Sequence, residues 1–199
     1  MTDNESFEDI EMLGRMMIAL ERLEQCKDLS LLIPEVRTNL VFARVHARDH
    51  RDVLAVDGRL TVVNGMPKAA GNIRFGASSH LARFIIYLMK THPQIRAAIN
   101  FSNNPAITIW LEEYCSHVDW TIVRIDRNHE PAKTRNEEGN SMMWKAGHAV
   151  RMAGGHVPKV ICDAGGMGKE PVCIIVGQEP VHTARELCGI AHAWAQRDT

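Results

Sequence analysis

Hydrophobic residues recur along the chain at two different spacings, which predict where helices and strands form. Over 6–23 they recur every three or four residues, as expected for a helix. Two apolar stripes lie side by side on this helix: Phe7, Ile10, Leu13, Met17 and Leu20 form the first, and Met12, Met16, Ala19 and Leu23 form the second. A face this wide favours packing against the body of the protein or against a second copy, and so hints at a homodimer. The polar face carries mainly Glu, which argues against a membrane-surface helix.

Beyond Pro34, short apolar runs alternate with longer amphipathic segments. Runs typical of strands cover 39–45, 60–63, 68–75, 96–101, 119–125, 160–163 and 172–176, and helical segments cover 78–90, 105–114, 141–153 and 180–196. Strands come first in a run and then alternate with helices. This order predicts an α/β protein with three α/β/α layers and a mixed sheet. The polar stretch 128–140 is the best candidate for a mobile loop.

Composition narrows the classes of partner. The 199 residues include 23 Lys and Arg against 24 Asp and Glu, so a net charge of -1 gives no basic excess for binding nucleic acid. The apolar runs are too short to span a membrane. The five cysteines are scattered without a Cys-x-x-Cys pair, and no basic segment precedes an apolar run at the N-terminus. These features predict a cytoplasmic protein that is not secreted and has no disulfide framework. Cys162 and Cys173 fall in apolar predicted strands, which indicates that they pack in the core.

The segment 163–171, with the sequence DAGGMGKEP, is the strongest candidate for an anion site. Glycines let backbone N–H groups converge on an anion, and a lysine adds the charge that a phosphate needs. The segment lacks the spacing of a P-loop. A tight turn between two strands is the alternative interpretation. The candidate phosphate-binding residues here are Asp163, Gly165, Gly166, Gly168 and Lys169.

A second candidate anion site lies where the predicted helix over 78–90 begins. Ser78 and Ser79 bring two hydroxyl groups to the helix N-terminus, where free N–H groups favour negative charge. His80 falls in the first turn, where the helix dipole favours its neutral form. Ser78 as a simple N-cap and His80 as a hydrogen-bonded structural histidine are the alternatives.

Metal binding by the protein itself is not indicated. The chain has ten histidines but neither a His-x-His pair nor a His-Glu-x-x-His helix. We therefore assign no residue as a metal ligand.

Several short motifs follow one another along the chain. In order they are LIPEV with the following Asn39, DGR at 57–59, FGASSH at 75–80, IRAAIN at 95–100, DR..EP at 126–131, EG.S..W at 138–144, AGG.VP at 153–158 and GG.GKEP at 165–171. Taken together, in this order and spacing, they resemble the ThiN family of thiamine-phosphate synthases. The resemblance implies an α/β/α fold like that of the class II (AraD-like) aldolases, without their metal-binding histidines. It divides the chain into an N-terminal helical extension, 1–30, and a ThiN-like domain, 31–199.

The resemblance also implies a reaction. ThiN enzymes join hydroxymethylpyrimidine diphosphate to thiazole phosphate and release thiamine phosphate and diphosphate, so the expected enzyme class is transferase. The family's essential arginine and histidine fall on Arg59 and His80. Asn39 and Asn100, which lie in two of the motifs, are expected to bind substrate. The expected ligands are phosphorylated small molecules, with Mg²⁺ accompanying the diphosphate and no organic cofactor.

Two departures from the family pattern leave an alternative open. Arg37 replaces a glycine that usually precedes the Ser/Thr-Asn pair, and Ala164 replaces an arginine after Asp163. The alternative function is a non-catalytic module that senses thiamine phosphates. Because Arg59 and His80 are both present, the enzyme is favoured over the sensor. A phosphosugar aldolase is disfavoured by the missing histidine triad.

Overall fold

A seven-stranded mixed sheet with helices on both faces organises residues 3–136, 139–166 and 168–197, the part of the chain that this computed structural model describes. Its strands are β1 (Leu40–Ala43), β2 (Val53–Val56), β5 (Ile73–Phe75), β6 (Ala97–Ser102), β7 (Ile122–Ile125), β8 (Val160–Asp163) and β9 (Val172–Gly177). The order across the sheet is β5-β2-β1-β6-β9-β8-β7. Strands β7 and β8 pair in parallel, and the other neighbours pair antiparallel. A separate hairpin contains β3 (Leu60–Val63) and β4 (Met66–Ala69).

The helices cover the two faces of this sheet. They are α1 (Asp3–Gln25), α2 (His80–Met89), α3 (Pro105–His117), α4 (Ala132–Asn136), α5 (Asn140–Met152) and α6 (Pro180–Ala195). Alternate side chains of a strand point to opposite faces. Leu40 and Phe42 of β1 therefore pack with α1, α3 and α6, whereas Val41 and Ala43 pack with α2 and α5. This arrangement confirms the predicted three-layer α/β/α architecture.

Helix α1 buries only one of its two apolar stripes. Met12, Met16, Ala19 and Leu23 are 0–2% exposed and belong to the same hydrophobic core as α6 and the sheet. The stripe that includes Ile10 and Met17 faces outward. Neither α1 nor another helix in the described part of the chain is both long enough and apolar enough to cross a membrane.

Three local predictions need correction. The predicted strand over 68–75 is two strands in different sheets, since the chain turns at Gly71 against the carbonyl of Asp57. Strand β2 was not predicted at all, because its four residues are all buried and show no alternation. The stretch 128–140, predicted to be a mobile loop, contains part of a 3-10 helix (Arg127–His129) and all of α4. Residues 137 and 138 of this stretch lie outside the described residues.

The prediction of a chain without disulfides is wrong. Cys162 on β8 lies directly opposite Cys173 on β9 in the antiparallel register, and the two form a disulfide. The bond closes the loop that connects these two strands, the glycine-rich segment singled out in the sequence. Their placement in the buried core agrees with the sequence-based prediction.

The packing of α1 leads to a test of whether this helix stabilises the domain. Met16 is fully buried, so Met16→Ala should lower the free energy of unfolding by about 2–5 kcal/mol. Met152, at the exposed end of α5, is the matched control, and Met152→Ala should change it by no more than about 0.5 kcal/mol. Urea denaturation followed by circular dichroism measures both values. Equal effects of the two substitutions would show that α1 does not contribute to the hydrophobic core.

Candidate functional site

The candidate site lies at one edge of the sheet, where the ends of several strands meet. Because β6 is antiparallel to both β1 and β9, its C-terminal end lies beside their N-terminal ends. The helices α2 and α5 begin at the same edge. Together they enclose a cavity of about 360 Å³, lined by Val36, Asn39, Arg59, Ser78, His80, Leu81, Asn100, Met142, Lys145, Gly168, Lys169, Glu170, Val172 and Ile174. A larger concavity of about 590 Å³ at the opposite edge, around Trp120 and Glu179, contains none of the predicted site residues.

Arg59 reaches the cavity from a tight turn after β2. Its backbone has φ of 67°, in the left-handed region that non-glycine residues rarely adopt. The turn is fixed by hydrogen bonds from Arg59 N–H to the Val56 carbonyl and from Ala70 N–H to the Arg59 carbonyl. The guanidinium Nη1 donates to the carbonyl of Val36.

His80 is the first residue of α2 and lines the same cavity from the other side. Its ring is exposed, and its Nδ1 lies 3.3 Å from the hydroxyl of Ser79. Ser78 is 8% exposed and also lines the cavity, whereas Ser79 does not. Ser79 occupies the N-cap position, and its side chain makes no capping hydrogen bond.

Asn39 and Asn100 hold each other in place at the cavity wall. The Asn100 side-chain oxygen accepts from Asn39 N–H at 2.8 Å, and the Asn39 side-chain oxygen accepts from Val56 N–H at 3.2 Å. The Asn100 side-chain amide donates to the carbonyl of Arg37 at 3.0 Å. These bonds fix both asparagines on adjacent strand ends.

The glycine-rich loop is a tight turn whose N–H groups are partly used inside it. Gly166 and Lys169 exchange two backbone hydrogen bonds of 2.9 Å, and Gly165 N–H donates to the Asp163 carboxylate. Gly165 has φ of 74°, and a Cβ there would come within 2.6 Å of the Lys169 carbonyl, so the turn requires glycine. Of the predicted residues in this loop, Gly168 and Lys169 line the cavity, while Asp163, Gly165 and Gly166 do not.

Asp163 instead lies beneath the cavity as the centre of a buried ion cluster. It is 1% exposed and pairs with Arg127 at 2.6 Å and with Lys145 at 2.5 Å. Arg127 binds both carboxylate oxygens, since its Nε donates to Oδ1 and its Nη2 to Oδ2. Burial would raise the pKa of Asp163, but Lys145 and Arg127 outweigh that effect and lower it.

The cluster extends toward the cavity through Glu130 and Ser141. Arg127 Nη1 donates to Glu130 at 2.8 Å and to the Ser141 hydroxyl at 2.6 Å. Lys169 Nζ lies 3.1 Å from the same hydroxyl and 3.4 Å from Glu130. The cluster therefore connects the glycine-rich loop, the start of α5 and the 3-10 helix after β7.

The charges facing the cavity suit an anion. Among the described lining residues, Arg59, Lys145 and Lys169 are basic and Glu170 is acidic. Both carboxylate oxygens of Glu170 accept backbone N–H groups, from Glu35 and Val36 at 2.8 Å each. Burial lowers the pKa of Lys145, and the Asp163 carboxylate opposes that shift. A buried cation next to a cavity is a strong partner for a phosphate oxygen.

An apolar wall faces these charges. Leu81 and Met142 project from the two helices, and Val172 and Ile174 from β9. A cavity with one charged and one apolar side suits a ligand that combines a phosphate with an aromatic ring.

The described residues do not supply a metal-binding set. No group of three or more His, Cys, Asp or Glu within 3–136, 139–166 and 168–197 is placed to hold a metal ion. The carboxylates nearest the cavity are already engaged, Glu170 by backbone N–H groups and Asp163 by two cations.

The two departures from the family pattern lie outside the cavity. Arg37 has φ of 66°, the conformation that glycine adopts most easily, and its side chain donates to the Gly58 carbonyl at 3.0 Å. Ala164 lines a separate cavity of about 270 Å³ near Asn103 and Pro171.

Sequence reasoning assigned no role to three residues that form the site, Arg127, Glu130 and Lys145. The first two lie in one of the quoted motifs. The signal for Lys145 is a lone lysine inside the otherwise apolar run from Met142 to Ala146.

Comparison with known proteins finds matches to ThiN proteins over most of the chain. The family model described as thiamine-phosphate synthase ThiN matches residues 15–188. The thiamine-phosphate synthase ThiN of Methanothermobacter thermautotrophicus is 37% identical over 166 residues, which cover 83% of this chain and 85% of that protein. The bifunctional thiamine biosynthesis protein ThiDN of Methanocaldococcus jannaschii is 31% identical over 78% of this chain, a match that spans 35% of that protein.

A solved structure shares the fold over nearly the whole chain. The C-terminal domain of a phosphomethylpyrimidine kinase superposes with a TM-score of 0.87 at 29% identity, covering 92% of this chain and all of that domain.

The ion cluster leads to a prediction about stability. Asp163→Asn would leave Lys145 and Arg127 buried without their shared carboxylate, so the free energy of unfolding should fall by about 3–5 kcal/mol. Asp119→Asn, at an exposed turn, is the matched control and should change it by no more than about 0.5 kcal/mol. An Asp163→Asn loss as small as the control's would contradict the proposed importance of the cluster.

The Asp163→Asn variant also tests how the free energy of unfolding depends on pH. Because the pKa of Asp163 is lowered by folding, its contribution is fully present above the unfolded pKa of about 3.9 and disappears as pH falls through the lower folded value. The stability difference between wild type and Asp163→Asn should be constant from pH 7 to about pH 5 and shrink at lower pH. A difference that stays constant down to pH 2 would contradict the assignment.

Proposed function

Since this chain belongs to the thiamine-phosphate synthase ThiN family, we propose that it condenses hydroxymethylpyrimidine diphosphate with thiazole phosphate. The products are thiamine phosphate and diphosphate. The observation that carries the proposal is the placement of Arg59 and His80, from two distant turns, on one cavity together with Lys145 and Lys169.

The reaction exchanges one bond for another at a methylene carbon. The carbon–oxygen bond to the diphosphate breaks, and its electron pair leaves with the diphosphate oxygen. The thiazole nitrogen then supplies an electron pair for the new carbon–nitrogen bond. Negative charge therefore grows on the departing oxygen, and donors fixed in advance around it lower the barrier.

The basic residues of the cavity are suited to this charge. Arg59 can offer two N–H groups to adjacent phosphate oxygens. Lys145 is held rigidly by Asp163 and needs no rearrangement to meet an anion. Lys169, at 34% side-chain exposure, is accessible to an entering diphosphate.

His80 and the start of α2 form a second polar region of the cavity. An imidazole at the first helical position can donate to a phosphate oxygen or manage a proton on the leaving group. The N–H groups at this helix end favour the second phosphate, that of the thiazole substrate.

The apolar wall limits side reactions. Leu81, Met142 and Ile174 would pack against the two heterocyclic rings and keep water away from the reacting carbon. Water would otherwise compete with the thiazole nitrogen. We further propose that Mg²⁺ enters bound to the diphosphate substrate, and no step is assigned to a metal held by the protein.

An assay with both phosphorylated substrates and Mg²⁺ tests the proposal directly. Thiamine phosphate should form, as measured by fluorescence after oxidation to its thiochrome derivative. If none forms while thiamine phosphate binds tightly in calorimetry, the chain is a sensor and the proposed reaction is wrong.

Substitution of the two candidate catalytic residues tests the assignment of the site. Arg59→Ala and His80→Ala should each lower kcat by about 100- to 1,000-fold, because each removes a donor to the transition state. Arg151→Ala is the control, since Arg151 is an exposed residue of α5 that lies outside the cavity. Its kcat should stay within about twofold of wild type. Full activity of Arg59→Ala would refute the site even if the reaction is correct.

A further inference from the structure

The outward face of α1 is apolar although no part of the chain that the structure describes covers it. Of the side chains described on this helix, five large apolar ones are 40–71% exposed: Phe7, Ile10, Leu13, Met17 and Ile18. The opposite face is fully packed on the core. A helix that is apolar on both faces is typical of one that is buried on both.

Gly14 lies at the centre of this outward face. Among the described residues, no atom beyond its own helical backbone and sequence neighbours lies within 4 Å of the position of a Cβ on Gly14. A glycine inside a helix lowers helix stability relative to alanine, and no contact with the described residues requires one here. A glycine does allow a second helix to approach closely.

We propose that α1 packs against α1 of a second copy of this chain, antiparallel, with a two-fold axis passing next to Gly14. Such an axis places Ile10 opposite Ile18 of the other copy, and each Gly14 against the other. The surface is then self-complementary, as a two-fold interface must be.

The exposed apolar area of α1 is large enough for an interface with a second copy. Five side chains at these exposures offer roughly 600 Å² per copy, so two copies bury on the order of 1,200 Å², the lower end of stable specific interfaces. Polar residues beside the stripe, such as Glu11 and Arg15, would form its rim.

Charge selects the antiparallel orientation. The first half of α1 carries five acidic residues and no basic one, whereas the second half carries two arginines, Arg15 and Arg22, and two glutamates. Arg22 makes no ion pair with any side chain that the structure describes. An antiparallel partner sets the two helix dipoles in opposition, which favours this orientation over the parallel one.

Sedimentation equilibrium over a range of concentrations tests the proposal. Wild type should sediment with twice the chain mass of 22.3 kDa. Ile10→Glu buries two charges in the interface and should raise the dissociation constant at least about 100-fold. Ile109→Glu, on α3, is the matched control, because Ile109 is 65% exposed against 69% for Ile10. It should remain dimeric.

Cross-linking tests the position of the axis. In a background of Cys26→Ser and Cys188→Ser, Gly14→Cys should form a covalent dimer on mild oxidation, since Cβ atoms next to a two-fold axis can reach disulfide distance. Ile109→Cys in the same background should remain uncross-linked.

Three results would overturn the proposal. Wild type could be monomeric even at about 100 μM, which would show that this face does not associate with a second copy. The dimer could persist in Ile10→Glu as it does in Ile109→Glu, which would place the interface elsewhere. Wild type could also float with vesicles of anionic phospholipid in a manner abolished by Ile10→Glu, which would assign this face to a membrane surface.

Discussion

The paired cations on buried Asp163 are the interaction on which the candidate site depends. A carboxylate that is 1% exposed is tolerated only because Lys145 and Arg127 both bind it. In return, the carboxylate fixes a lysine at the cavity wall and an arginine that holds Glu130 and Ser141. The placement of the charged side chains at the cavity therefore depends on a carboxylate that is buried beneath its surface.

The topology of the sheet explains how distant residues reach this place. Each of the strands that border the cavity ends or begins at the same edge, so residues separated by as many as 135 positions become neighbours. Glu170 shows the effect, since its carboxylate fastens the segment at Glu35 and Val36 to the glycine-rich loop. The opposite layer, in which α1 packs on α6, leaves a second surface free for association.

Sequence patterns predicted most of this fold, because helices and alternating strands carry local periodicity. They missed β2, a buried four-residue run without alternation, and they joined β4 to β5 across Gly71. For the site, the matching motifs identified Arg59 and His80, and the structure places both on one cavity. The role of Lys145 could not be predicted, because its partner Asp163 is 18 residues away on a different element and only the tertiary structure joins them.

The shared carboxylate also constrains how the protein can change. If Asp163 is lost alone, two buried positive charges remain together, and if Lys145 is lost alone, Arg127 still neutralises the carboxylate. The order of substitution therefore matters: the lysine can be replaced first, whereas Arg127 and Asp163, which then form a buried pair, have to be replaced together. Of the three positions, only the lysine can therefore vary independently, because the arginine and the aspartate each keep the other from being a lone buried charge.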